Sequence, residues 1–156
     1  MTDKTTLNIA RRIAAPPSAV WDAWSDPAKL AQWWIPAPII CQVVTLDLKP
    51  GGGFVTRMRE EGAADFQPHV DGCFLEAIPE KRLVFTTMLT EGWQPTEPWL
   101  ALTAILTFEP DGDGTLYSAR VLHKSPDDSA KHEEMGFQEG WGTAIGQLAG
   151  LLERRS

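Results

Sequence analysis

The stretch from Ser125 to Arg154 constrains this chain more than any other, because it combines a continuous apolar face with an unusual load of glycine. Ser125 suits an N-cap, Pro126 the first helical position, and Asp127 and Asp128 the positive end of a helix dipole; Arg154 and Arg155 fall where the negative end needs cations. At about 100° per residue, Phe137, Trp141, Ala144, Ile145, Leu148, Leu151 and Leu152 share one face. The spacing predicts one helix over 125–154. Gly136, Gly140, Gly142, Gly146 and Gly150 lie within it, each costing about 0.8–1 kcal/mol against Ala. Burying Phe137, Trp141, Ile145, Leu148 and Leu152 at about 1.5–3 kcal/mol each outweighs that cost, so tertiary packing must hold this helix. Gly142, Gly146 and Gly150 form a smooth stripe away from Trp141. A surface that tolerates glycine is favoured there, with a homodimer seam as the alternative.

What the helix packs against is set by the chain before it. Leu7, Ile9, Arg11 and Ile13 alternate with Asn8, Ala10, Arg12 and Ala14, which reads as a half-buried strand over 6–14. Pro17 and Asp26-Pro27 each open a short helix, the second running from Ala28 to Trp34, before Pro36 and Pro38 stop it. Strands are then expected at 40–48, 53–60, 69–78, 82–90, 100–109 and 114–123. Short turns between them imply antiparallel pairing. The order is β-α-α-β6-α: an α+β chain in which a curved seven-stranded antiparallel sheet wraps a long C-terminal helix, leaving room for a cavity. The loop EGWQPTEPW, from Glu91 to Trp99, places two tryptophans at its rim.

The totals bound the function. A length of 156 residues suggests one domain spanning 1–156, and 43% hydrophobic with 22% charged residues is ordinary globular composition. A net charge of −7 without a basic cluster argues against nucleic acid or an anionic membrane as the main partner. No apolar run approaches a membrane span and no signal core opens the chain, so a cytoplasmic location is expected. Cys41 and Cys73 show no metal spacing, and free buried thiols are expected. Seven tryptophans fit a ligand pocket as readily as a core.

Several motifs resemble a known family. Ala15-Pro16-Pro17-Ser18-Ala19-Val20-Trp21-Asp22-Ala23-Trp24 is followed by Asp26-Pro27, Leu30, Trp33 and Trp34. Further on come Leu48-Pro50-Gly51-Gly52 with Phe54 and Met58, then Gly72-Cys73-Phe74-Leu75-Glu76 with Pro79 and Arg82-Leu83-Val84-Phe85-Thr86. Gly114-Thr115, and His132-Glu133-Glu134-Met135-Gly136-Phe137 with Gly140-Trp141 and Leu148, complete the set. Together they resemble the SRPBCC (START-like, helix-grip) superfamily, in the branch named for activators of the heat-shock chaperone ATPase, nearly end to end. The resemblance implies the helix-grip fold. That scaffold hosts lipid carriers, hormone receptors, aromatases, cyclases and co-chaperone modules, so it does not by itself choose a chemistry. A chaperone partner is disfavoured, since such activators carry a separate N-terminal domain for which 156 residues leave no space. The polyketide cyclase-like label given to such sequences has no residue motif here.

The remaining constellations point the same way. His69, Asp71 and Cys73 at i, i+2 and i+4 of a strand would share one face, but zinc needs further ligands, and neither metal nor cofactor is expected. Gly51-Gly52-Gly53 leads into a strand, so a tight turn is favoured over a phosphate cradle. Glu76 shares a strand face with Phe74 and Ile78 and is the one weak catalytic candidate; the alternative is a solvent-facing pair with Arg82. His123 ends the last strand and His132 lies in the first turns of the helix, close enough in sequence to meet, although most such histidines are surface or capping residues. The leading expectation is binding of a small apolar or aromatic molecule between sheet and helix by Trp33, Phe54, Met58, Phe74, Phe85, Trp99 and Trp141. An enzyme of cyclase, dehydratase or hydrolase type acting on such a ligand is the alternative, and a co-chaperone-like interaction module the second.

Overall fold

In the computed structural model, which describes residues 5–153, the chain runs β1 (Thr6–Ile13), α1 (Pro17–Ser25), α2 (Pro27–Trp33), β2 (Ile40–Leu46), β3 (Gly53–Arg59), β4 (Gln67–Ile78) and β5 (Arg82–Thr86). It continues through β6 (Leu89–Thr90), β7 (Gln94–Pro95), β8 (Thr103–Asp111), β9 (Gly114–Leu122), α3 (Pro126–Glu134) and α4 (Phe137–Glu153). Seven strands form one antiparallel sheet in the order β1-β9-β8-β5-β4-β3-β2, with β6 and β7 a separate small hairpin. This is the helix-grip arrangement, with α4 held against the sheet.

The local signals work as expected at several ends. The Asp26 side chain accepts from the Ala28 N–H at 2.9 Å with Pro27 at the first position of α2, and the Ser125 hydroxyl accepts from the Asp128 N–H at 3.2 Å. Arg154 and Arg155 lie outside the described residues. Side chains on α4 tie down the far side of the molecule. The Gln147 amide donates to the Trp33 and Ile35 carbonyls, both at 3.0 Å, and accepts from the Ala37 N–H at 2.7 Å, while Glu153 accepts from the Ala14 N–H at 2.9 Å. Gly142 and Gly146 face Ile9 and Arg11 of β1.

Three expectations need correction. The C-terminal helix is two helices, not one: Gly136 has φ +97°, in the left-handed region. Its N–H bonds the Glu133 carbonyl at 3.0 Å, ending α3, and its carbonyl accepts from Gly140 at 2.7 Å, starting α4. The strand expected at 82–90 stops at Thr86. There the threonine hydroxyls of Thr86 and Thr87 donate to the Leu102 and Leu100 carbonyls at 3.1 and 2.7 Å, and Thr86 accepts from the Met88 N–H at 3.1 Å, so the chain leaves the ladder. For the same reason the strand expected from 100 begins at Thr103.

Register breaks curve the sheet on the β2–β5 side. Pairing shifts between Val43 and Thr45, between Thr56 and Arg57, and between Phe74 and Glu76, leaving an extra residue each time. These bulges reset which side chains face inward.

Candidate functional site

A cavity of about 390 Å³ opens between the sheet and α4, within the size range of small-molecule sites. Its inner wall is Trp33, Trp34, Phe85 and Tyr117, its helix wall Phe137, Gly140, Trp141, Ala144 and Ile145, and its mouth carries Trp99 and Met135. The last two are 63% and 54% exposed, so large apolar groups stand in solvent at the entrance. Gly136 and Gly140 contribute room: a Cβ at either would meet no atom within 4 Å.

Four of the seven expected liners, Trp33, Phe85, Trp99 and Trp141, lie on this wall. Phe54 and Phe74 face the same interior but are covered. Phe54 stacks on Phe74 with ring centroids 5.1 Å apart, and Trp24, Trp34 and Phe85 close over Phe54 at 5.7, 5.5 and 5.0 Å. They are core that backs the cavity wall. Met58 is half-buried against the same core, away from the cavity. Of the loop tryptophans, Trp99 donates from Nε1 to the His69 carbonyl at 3.2 Å at the mouth, whereas Trp93 covers the Gly51 turn.

Glu76 is not inward with Phe74. The bulge at Leu75 shifts the alternation, so that Phe74 pairs with Phe85 and Ala77 with Leu83 on the core face, while Glu76 pairs with Val84 on the other. There its Oε1 lies 2.7 Å from Arg82 Nε, with both side chains more than 40% exposed. The second bulge separates the His69-Asp71-Cys73 set. His69, left without a partner between Pro68 and Val70, turns to the cavity, shares a 3.0 Å hydrogen bond from Nδ1 to the Thr56 hydroxyl and meets Trp34 edge-on. Asp71 is exposed and Cys73 buried. Among the described residues no group of three or more His, Cys, Asp or Glu is placed to hold a metal ion. Both cysteines are free thiols, with Cys73 buried and Cys41 half-buried; desolvation pushes Cys41 up to about 11.

Among the polar groups of the cavity, sequence reasoning raised His69 and His132 without placing them in its wall, and left out Tyr117. Tyr117 accepts from Trp24 Nε1 at 2.9 Å, and burial raises its phenol well above the ordinary range, so it stays protonated. Trp34 keeps its indole N–H buried without an acceptor. His132, in the wall, and His123, behind it, are joined Nδ1 to Nε2 at 2.9 Å, and His123 Nδ1 lies 2.9 Å from the Thr5 carbonyl oxygen. Burial lowers His132 to about 4, with the neighbouring His123 a smaller cause, and burial alone lowers His69 to about 4. Both imidazoles are therefore neutral at pH 7. The signal that would have placed His132 at the cavity is Gly136 four residues on: a left-handed stop there ends the first helix, leaving His132 in its last turn, beside the cavity.

A helix-grip sheet closed over an aromatic-walled cavity fits the class of hydrophobic ligand-binding folds. Residues 14–153 match the family model described as activator of Hsp90 ATPase homolog 1-like protein, and the chain belongs to that family. Among solved structures it is similar to a crystallised protein from Nitrosomonas europaea, with 37% identity, 100% of this chain and 99% of that one covered, and a TM-score of 0.88. A Mycobacterium smegmatis protein is 26% identical over 96% of this chain and 91% of its own, with a TM-score of 0.77. An Arthrobacter aurescens protein solved by NMR shares the fold at 23% identity, 100% and 91% coverage and a TM-score of 0.82. No curated protein matches the chain.

Proposed function

We propose that the protein binds a small apolar or aromatic molecule between its sheet and α4. The observation that carries this reading is the cavity itself: about 390 Å³, walled by indole and phenyl rings, with its histidines held neutral. Burying an aromatic ligand there would replace solvent against Trp33, Trp34, Phe85, Phe137 and Trp141 with ring contacts. Among the described residues no helix is long and apolar enough to cross a membrane. Catalysis on the bound molecule is the second reading, favoured by one feature: His132 and His69 bring two imidazoles into the wall of a largely aromatic site. Native mass spectrometry of protein purified from its own source tests the first reading. A retained small molecule at one equivalent per chain is the expected result; only the bare chain mass, together with no uptake of added aromatic probes, would count against it.

A further inference from the structure

The two histidines at the α3 end of the cavity fix each other's protons. His123 Nδ1 faces the Thr5 carbonyl oxygen at 2.9 Å, and a carbonyl can only accept, so His123 carries its proton on Nδ1. A neutral His123 therefore offers a lone pair at Nε2. The 2.9 Å contact to His132 Nδ1 then requires that His132 donate, which places its single proton on Nδ1 too. Neutral His132 is left with a lone pair at Nε2, on the side of the ring away from His123. That nitrogen has no hydrogen-bond partner among the described residues, and His132 lines the cavity while His123 does not. The contrast with His69 is instructive. Its partner, the Thr56 hydroxyl, can donate or accept, so its tautomer is not dictated. With both rings neutral, His132 has no such freedom, because the chain of bonds starts at a backbone carbonyl.

We infer that the cavity takes a ligand bearing a hydroxyl or N–H donor, such as a phenol, which hydrogen-bonds to His132 Nε2. This rests on the ligand-binding reading above and narrows it from apolar molecules in general to those with one donor at the α3 end. An acceptor-only group there, an ether or a carbonyl, would confront a lone pair with a lone pair. A purely apolar ligand would cover Nε2 without giving it a partner, which a donor avoids.

The test pairs two probes of nearly equal size, 2-naphthol and 2-methoxynaphthalene, titrated at pH 7 by isothermal calorimetry against the native protein and His132→Phe. Native protein should bind the naphthol about tenfold more tightly than its methyl ether, and the preference should vanish in His132→Phe. Comparison with the variant removes the effect of the added methyl group. Long-range proton–nitrogen NMR on the native protein reads the tautomers without any substitution: His123 and His132 should both carry the proton on Nδ1. Equal affinities for the two probes, a preference that survives His132→Phe, or a proton on His132 Nε2 overturns the inference while leaving the ligand-binding reading in place. If neither probe binds, even with the tautomers as expected, the ligand-binding reading falls and this inference falls with it.

Discussion

The space between sheet and helix has two ends built from the same kind of residue, and only one of them is filled. At the filled end Trp24, Trp34, Phe54, Phe74 and Phe85 interlock, with ring centroids 5.0 to 6.4 Å apart. At the other end Phe137, Trp141 and Trp99 surround a cavity. Trp34 and Phe85 stand between the two and belong to both. The difference does not lie in hydrophobicity. The short helices α1 and α2 bring Trp24, Trp33 and Trp34 over one end, whereas the other is framed by the α3–α4 break and by glycines at 136 and 140, where side chains would otherwise project. A cavity here is the result of backbone geometry and missing side chains.

That comparison can be broken from the filled side first. Phe74→Ala deletes a ring that is fully buried and stacked on Phe54, and should lower unfolding free energy by about 3–5 kcal/mol in urea denaturation. Trp99→Ala, at the exposed mouth, should cost less than about 1 kcal/mol in the same assay. Comparable losses would mean that the mouth is structural.

Acid should weaken the hollow end. The imidazole of His69 is lowered to about 4 by burial, and that of His132 to about 4 by burial with help from His123. Between the ordinary value near 6.5 and about 4 the unfolded chain binds more protons than the folded one, so stability falls as pH drops through that window and levels off below it. For His69 the loss amounts to roughly 3 kcal/mol at most. His69→Gln should flatten part of the pH dependence measured by thermal melts; an unchanged slope would show that the acid sensitivity arises elsewhere.

Glu76 should show the smallest effect. Its pair with Arg82 is exposed on the outer sheet face, and such pairs contribute about 0–1 kcal/mol. Glu76→Gln should leave probe affinity unchanged and stability within that range, and a tenfold loss of affinity would restore it as a site residue.

The fold was legible because its signals are local. Asp26-Pro27 and Ser125-Pro126 mark their helix starts on the sequence itself, and the alternation from Leu7 to Ile13 marks the first strand. The site was legible only where side-chain size sufficed, as at Trp33, Phe85, Trp99 and Trp141. What escaped depends on single residues acting through the backbone. Leu75 and His69 are the unpaired members of bulges, and no alternating pattern reveals a bulge before the partner strand is known. Strict alternation consequently sends Glu76 inward. Gly136 reads as one more costly glycine in a long helix, yet its left-handed φ splits that helix and sets Met135 at the mouth. The His123–His132 contact needed the end of β9 and the last turn of α3 to be placed together, which spacing permits but does not require.

The most direct test of the cavity as a ligand site is to fill it from the helix side. Gly140 lies in α4 on the cavity wall with open space where its Cβ would be, so Gly140→Leu should fold at least as stably as the native chain while occupying the cavity. Calorimetric titration with 2-naphthol should give one equivalent bound to the native protein and at least about a tenfold loss of affinity in Gly140→Leu. Equal binding by a well-folded Gly140→Leu protein would contradict the account, because the probe would then sit somewhere other than the space between the sheet and α4.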